Sequence, residues 1–215
     1  MKIISINIGK HHQINTTKKR RQTTGIFKIP VDSPVKLGEL GFKGDFIANE
    51  KHHGGPDQAV YIYGQPDYDF WADSLGEIIV PGLFGENLTI SKLESGKFNI
   101  GDFLTIGEVH LQVTAPRIPC AKFAARIGDP QFVKKFRDAE RPGLYCRVLQ
   151  PGTIQTGDTV TFEPYTGETV SIVEMYRNHY TPDNSSTTLR RFLAAPIDIR
   201  SRIGMKARLE ELESE

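Results

Sequence analysis

Hydrophobic and polar positions alternate with period two through most of the first 163 residues. Ile4, Ile6 and Ile8 are separated by Ser5 and Asn7, and Val109, Leu111 and Val113 by His110 and Gln112. That spacing predicts strands with one buried face. Shorter runs at 25–29, 59–63, 103–106, 144–149 and 159–162 predict further strands, punctuated by Gly, Pro and Asp. Gly101-Asp102-Phe103 and Gly157-Asp158-Thr159 open two similar turn-then-strand segments, too short to count as a repeat. Helical spacing interrupts only at 67–75 and 129–139. A mostly β, barrel-like core follows.

Beyond Pro164 the period changes. Ile172, Val173, Tyr176 and Tyr180 fall on one helical face, Leu189, Phe192 and Leu193 on a second, Met205, Leu209 and Leu212 on a third. The chain therefore divides into a β domain over 1–163 and a small three-helix domain over 164–215. A unit that small buries little apolar surface alone, so it is expected to rest on the β domain or on a second copy of the chain. Its acidic end, 210–215, opposes the helix dipole and predicts a frayed last turn.

Charge removes several partners. The 215 residues carry 27 Lys and Arg against 26 Asp and Glu, a net charge of +1, so any anion site must be local. The one dense basic run, 18–21, has no interleaved aromatics and reads as a solvated loop tip, which argues against a nucleic-acid partner. No apolar run reaches the ~18 residues of a membrane helix. Ser5, Asn7, Gly9 and Lys10 interrupt any secretory segment at the start. The two cysteines, Cys120 and Cys146, form neither a C-x-x-C pair nor a zinc spacing, which fits a soluble protein of the reducing cytoplasm. Phosphate-loop, dinucleotide and zinc-protease motifs are missing.

Three segments carry candidate chemistry. In Pro116-Arg117-Ile118-Pro119-Cys120-Ala121-Lys122 a strand ends, two prolines stiffen the exit, and good helix formers follow, placing Cys120 at a helix N-terminus. The dipole and the cations Arg117 and Lys122 favour a thiolate there, which is both a nucleophile and a soft metal ligand; a small buried hydrophobe is the plainer alternative. Cys146 alternates with Leu144 and Val148 and reads as core. In Lys51-His52-His53-Gly54-Gly55-Pro56-Asp57-Gln58 the Gly54-Gly55 backbone can approach an anion closely, with Lys51, His53 and Asp57 beside it, or the segment is simply a polar turn. Gly82-Leu83-Phe84-Gly85-Glu86-Asn87-Leu88 is a third Gly-rich loop.

Taken together and in order, these segments, with Thr24-Gly25-Ile26-Phe27-Lys28 and Ala59-Val60-Tyr61, resemble the MOSC domain, and specifically its stand-alone bacterial YiiM-like members, over nearly the whole chain. Ala115 and Phe123 stand where relatives often have Gln and Leu, and Cys146 where an aromatic or aliphatic residue is common. The resemblance implies a mostly β fold holding a pyranopterin molybdenum cofactor, with Cys120 ligating molybdenum. It further implies reduction of N-hydroxylated compounds, notably hydroxylaminopurine-type base analogues. On that reading Arg117, Lys122, Lys51, Gly54, Gly55, Thr24 and Asn87 hold the cofactor, and His53 or Asp57 relays protons. No flavin, iron-sulfur or nicotinamide motif is visible, so a separate reductase is expected to deliver electrons. The competing expectation is a cofactor or sulfur carrier without turnover.

Overall fold

The computed structural model describes residues 1–15, 21–48, 54–76 and 78–214. Thirteen strands run β1 (Ile3–Gly9), β2 (His12–Asn15), β3 (Arg21–Thr24), β4 (Lys28–Val31), β5 (Val35–Gly38), β6 (Gly41–Phe42), β7 (Val60–Gly64), β8 (Leu88–Ile90), β9 (Phe103–Ile106), β10 (Val109–Pro116), β11 (Leu144–Gln150), β12 (Gly152–Ile154) and β13 (Val160–Glu163). Among the described residues six α-helices join them: α1 (Gln65–Leu75), α2 (Ala121–Ile127), α3 (Phe132–Ala139), α4 (Ile172–Tyr180), α5 (Ser186–Ala194) and α6 (Ile199–Ser214).

Eight strands form one sheet in the order β13-β9-β10-β11-β7-β8-β1-β4, antiparallel except where β7 and β8 run parallel. The ladder is rolled but not a closed barrel. An isolated bridge, Lys2 to Thr159, brings the start of β1 back to the β13 edge, with Val160 N donating to Met1 O at 2.9 Å and Ile3 N to Asp158 O at 3.0 Å. The two turn-then-strand segments open β9 and β13, which are antiparallel neighbours in register Val160 to Ile106. Smaller sheets β12-β5-β6 and β2-β3 complete the β part.

The period-two reading located β1 and β10 but not their burial. Ser5, Asn7, Gln112 and Thr114 are buried along with the apolar positions between them. Burial of these polar groups requires partners. Ser5 Oγ donates to Asn7 Oδ1 at 2.7 Å, and Thr114 Oγ1 to the Asp57 carbonyl at 2.6 Å. Of the strand expected over 25–29 only 28–29 fall in a strand, β4; 25–27 lie in none, and Gly25 comes so close to the Phe46 carbonyl that a Cβ would sit 1.8 Å from its oxygen. Asp129 lies outside its expected helix and accepts from Gln131 N at 2.8 Å in a turn before α3.

Two apolar clusters fill the molecule. The larger joins Ile6, Ile62, Leu104, Leu111 and Val113 of the sheet with Val170, Ile172, Met175, Phe192 and Ile197, so the helical tail shares the sheet's core. Ser171 and Ser185 cap α4 and α5 through their hydroxyls. Helix α6 runs to Ser214, further than its acidic end predicts, and an Arg190–Glu213 ion pair ties that end to α5. The second cluster is aromatic: Tyr61, Tyr63, Tyr68, Trp71, Phe84, Phe123, Phe132, Phe136 and Tyr145. Trp71 stacks on Phe136 at 5.9 Å with rings 5° apart. Phe123 inserts into this cluster and so seats α2, the helix that Cys120 opens.

Candidate functional site: a cationic cleft ending at a cysteine

Cys120 is the N-cap of α2, with extended backbone (φ −133°, ψ 173°), and its carbonyl accepts from Phe123 N at 2.9 Å. The thiol is half-buried and lines a cleft of about 660 Å³, counting its open mouth. Thr24, Asn87, Arg117 and Lys122 line the same cleft, so the structure brings five of the sequence-selected residues together.

Arg117 is the dominant charge. It is 7% exposed, and its guanidinium lies over the Tyr61 ring at 4.7 Å and the Phe123 ring at 4.8 Å. Among the described residues it has no hydrogen-bond or ion-pair partner. Burial works against its charge, but Tyr145, Tyr61, Cys120 and Glu86 outweigh that, and its pKa stands above the ordinary arginine value. The loop beneath it depends on Gly85, at φ +75°, where a Cβ would sit 2.9 Å from Ile26 and 3.3 Å from Arg117 Nη1. Buried Glu86 holds that loop by accepting from Gly82 N at 2.6 Å, Thr89 Oγ1 at 2.8 Å and Tyr68 OH at 2.5 Å.

The other cleft residues are committed to different degrees. Lys122 Nζ donates to Thr23 O at 3.0 Å, tying α2 to β3. Asn87 accepts from Tyr61 N at 3.2 Å and donates to Asp45 at 2.9 Å, so its amide chiefly joins strands. Thr24 Oγ1 accepts from Ile26 N at 3.1 Å. Lys28, buried in the floor, pairs with Asp45 at 2.6 Å; burial lowers its pKa, against the pull of Asp45.

Asp57 is not among the residues lining the Cys120 cleft. Its carboxylate pairs with Arg147 Nε at 3.0 Å and accepts from Ile199 N at 2.7 Å, the first residue of α6. Gly55, at φ +92°, caps a 3-10 turn (Pro56–Gln58), and Gly54 offers its carbonyl to Arg200. Lys51 and His53 lie outside the described residues.

A second cleft, of about 1360 Å³ counting open space, meets the first at Cys120, Gln58 and Tyr145. Its walls include Ile118, Met175 and Met205, with His179 on its lining. Burial lowers the His179 pKa. Tyr145, Lys28, Gln58 and Arg200 were not singled out as candidates. Lys28 and Gln58 lie inside selected segments, whereas Arg200 enters from 142 residues beyond Gln58. Among the described residues no cluster of three His, Cys, Asp or Glu side chains could hold a metal ion by itself, and no helix is long and apolar enough to cross a membrane.

The fold and this cysteine-ended cationic cleft place the molecule in a known class: residues 49–161 match the MOSC domain, and the chain belongs to the MOSC domain family, in general a family of molybdenum cofactor-binding domains. Within it the chain is YiiM-like. The crystal structure of YiiM from Geobacillus stearothermophilus superposes with a TM-score of 0.79 at 28% identity, covering 97% of this chain and 98% of that one. The uncharacterized protein YflK of Bacillus subtilis is 33% identical over 192 residues, 89% of this chain and 86% of YflK. A protein of Gibberella moniliformis named "Reductase" is 35% identical over 149 residues, 66% of this chain but 26% of that longer protein.

Proposed function

We propose that the protein is a molybdenum cofactor-dependent reductase of N-hydroxylated compounds, with hydroxylaminopurine-type base analogues as the substrate class. The observation that carries this reading is the Arg117 guanidinium, buried, charged and, among the described residues, without an anionic partner, in a cleft that ends at a cysteine. A buried charge left unpaired costs several kcal/mol, and an anionic ligand removes that cost. The donor set fits a phosphorylated pterin carrying a soft metal: guanidinium and ammonium for phosphate, thiol for molybdenum.

In this reading Arg117 and Lys122 hold the cofactor's anionic end from within the cleft, Lys51 and the Gly54–Gly55 backbone are assigned to the same end although neither glycine is among the residues lining that cleft, and Cys120 supplies the protein's ligand to molybdenum. Thr24 and Asn87 shape the cleft wall. When bound, the cofactor supplies the two-electron redox chemistry. The protein's own task is to bring the substrate's N–O bond to the junction and deliver protons there. The second cleft, with methionine and isoleucine walls, accepts a flat base. Overall the N–O bond breaks, two electrons and two protons are consumed, and the oxygen leaves as water while the amine remains. A separate reductase supplies the electrons. Asp57 is committed to Arg147 and Ile199, so the proposal keeps His53 alone as the proton relay. A reducing, cytoplasmic setting, which keeps both cysteines as thiols, belongs to the same proposal.

The test is purification from a host that makes molybdenum cofactor, with molybdenum and pterin measured per chain and hydroxylaminopurine reduction assayed with an artificial donor. Bound cofactor with turnover is the expected result. Bound cofactor without turnover replaces the reductase by a carrier, and a protein that holds no molybdenum or pterin and reduces nothing overturns the proposal entirely.

A further inference from the structure

The start of α6 is locked onto the 54–58 turn. Asp57 accepts from Ile199 N at 2.7 Å, and Asp198 Oδ1 accepts from Arg200 N and Ser201 N, both at 3.1 Å. Arg147, paired with Asp57, also donates to Pro196 O at 3.1 Å. From this fixed start Arg200 reaches back to the turn. Its Nη1 donates to Gln58 Oε1 and its Nη2 to Gly54 O, each at 2.6 Å.

A guanidinium has donors only, so Gln58 must turn its amide oxygen toward Arg200. The Nε2 hydrogens are then left over on a side chain that lines both clefts with Cys120 and Tyr145. Among the described residues Nε2 donates to none. We propose that Arg200 is a positioning residue: by holding the Gln58 amide oxygen it presents Gln58 Nε2 beside Cys120 as a hydrogen-bond donor to an oxygen on the ligand at the junction. This rests on the reading of that junction as the place where the ligand's oxygen meets Cys120, and it makes the helical tail part of the site.

The test uses the cofactor-free full chain and two alkylating reagents of similar size, iodoacetate and iodoacetamide. The first carries a carboxylate and the second a neutral amide. The ratio of their rates at Cys120, followed by peptide mass, reads the donors around the thiol. Gln58→Leu is expected to lower the iodoacetate-to-iodoacetamide ratio about threefold to tenfold, the worth of one hydrogen bond. Arg200→Met lowers it as far, and the double variant no further, because Arg200 acts through Gln58. Arg200→Lys keeps the charge but loses the two-pronged grip, so it also lowers the ratio; it carries the test should Arg200→Met not fold.

An unchanged ratio in Gln58→Leu overturns the proposal. So does a native ratio in Arg200→Lys, which would reduce the effect to charge, or a double variant whose loss is the product of the two singles. The readout needs neither cofactor nor hydroxylaminopurine. A native protein that holds molybdenum yet reduces nothing would therefore sink the reductase reading without touching this result.

Discussion

The two cysteines are the same side chain in opposite surroundings. Cys120 opens a short helix at the meeting point of two clefts, half-buried, in the cleft it shares with Arg117, which has no ion-pair partner among the described residues. Cys146 lies in the middle of β11, fully buried, opposite Val113 on β10 and Val60 on β7. Burial pushes the Cys146 thiol well above its ordinary pKa, with Arg147 opposing weakly. Chemistry needs access and a field that tolerates negative charge, and packing needs their absence. The contrast locates function in surroundings rather than in residue type.

The contrast breaks hardest on Cys120→Ser. This change replaces a soft, ionisable ligand by a hard hydroxyl of similar volume, so the fold is expected to survive while reduction of the N-hydroxylated substrate falls to background. Thermal melts and turnover check it, and an active Cys120→Ser enzyme refutes the thiolate ligand.

Alkylation of the native protein reads the difference in access directly. With iodoacetamide at neutral pH, Cys120 is expected to react about a hundredfold faster than Cys146 or more, since Cys146 must await opening of the sheet. Peptide mass at timed intervals measures it. Raising the pH does little to bring Cys146 into reaction, because burial pushes its pKa up and keeps the thiol protonated. Comparable rates at the two sites would remove the distinction.

Arg117→Met is expected to lower cofactor retention about tenfold, against a small effect of Arg126→Ala. Arg126 is the useful comparison: it also lies over an aromatic ring, Phe27 at 4.5 Å, but is not among the residues lining the Cys120 cleft. Molybdenum and pterin per folded chain measure both variants, and equal retention would count against the anion-holding role.

The smallest effect is assigned to Cys146→Ala. Removing a buried sulfur leaves a small cavity and is expected to cost about 1 kcal/mol of stability, with turnover per folded molecule unchanged. Denaturant melts measure the loss. A well-folded but inactive variant would show that both thiols matter.

Much of this was legible in the chain. Alternation and short apolar runs placed β1, β7, β9, β10, β11 and β13 but not β2, β3, β5, β6, β8 or β12, and the switch to helical spacing placed three helices after Pro164. The prolines around Cys120 and the helix formers after it put the thiol at a helix start, because these are local steric preferences that act within a few residues. Arg117, Lys122, Thr24 and Asn87 were selected with it, and all line its cleft.

What remained hidden has one physical cause. Burial and pairing are set by residues far apart in sequence, and local pattern does not carry them. Alternation marked Ser5 and Asn7 as an exposed face, yet both are buried: Glu86 and Thr89 accept from the Asn7 amide, and Asn7 in turn accepts from Ser5. Asp57 sits beside two glycines as a cleft residue would, but Arg147 and Ile199 claim its carboxylate. The sequence by itself determined the longer strands of the main sheet, the helices after Pro164, the placement of Cys120 at a helix start and the cations near it. Only the tertiary structure decided which cleft cation has no ion-pair partner among the described residues, and that a helix beginning at Ile199 packs its first turn on the turn at Gln58, because those outcomes depend on which distant groups compete for the same charges and hydrogen bonds.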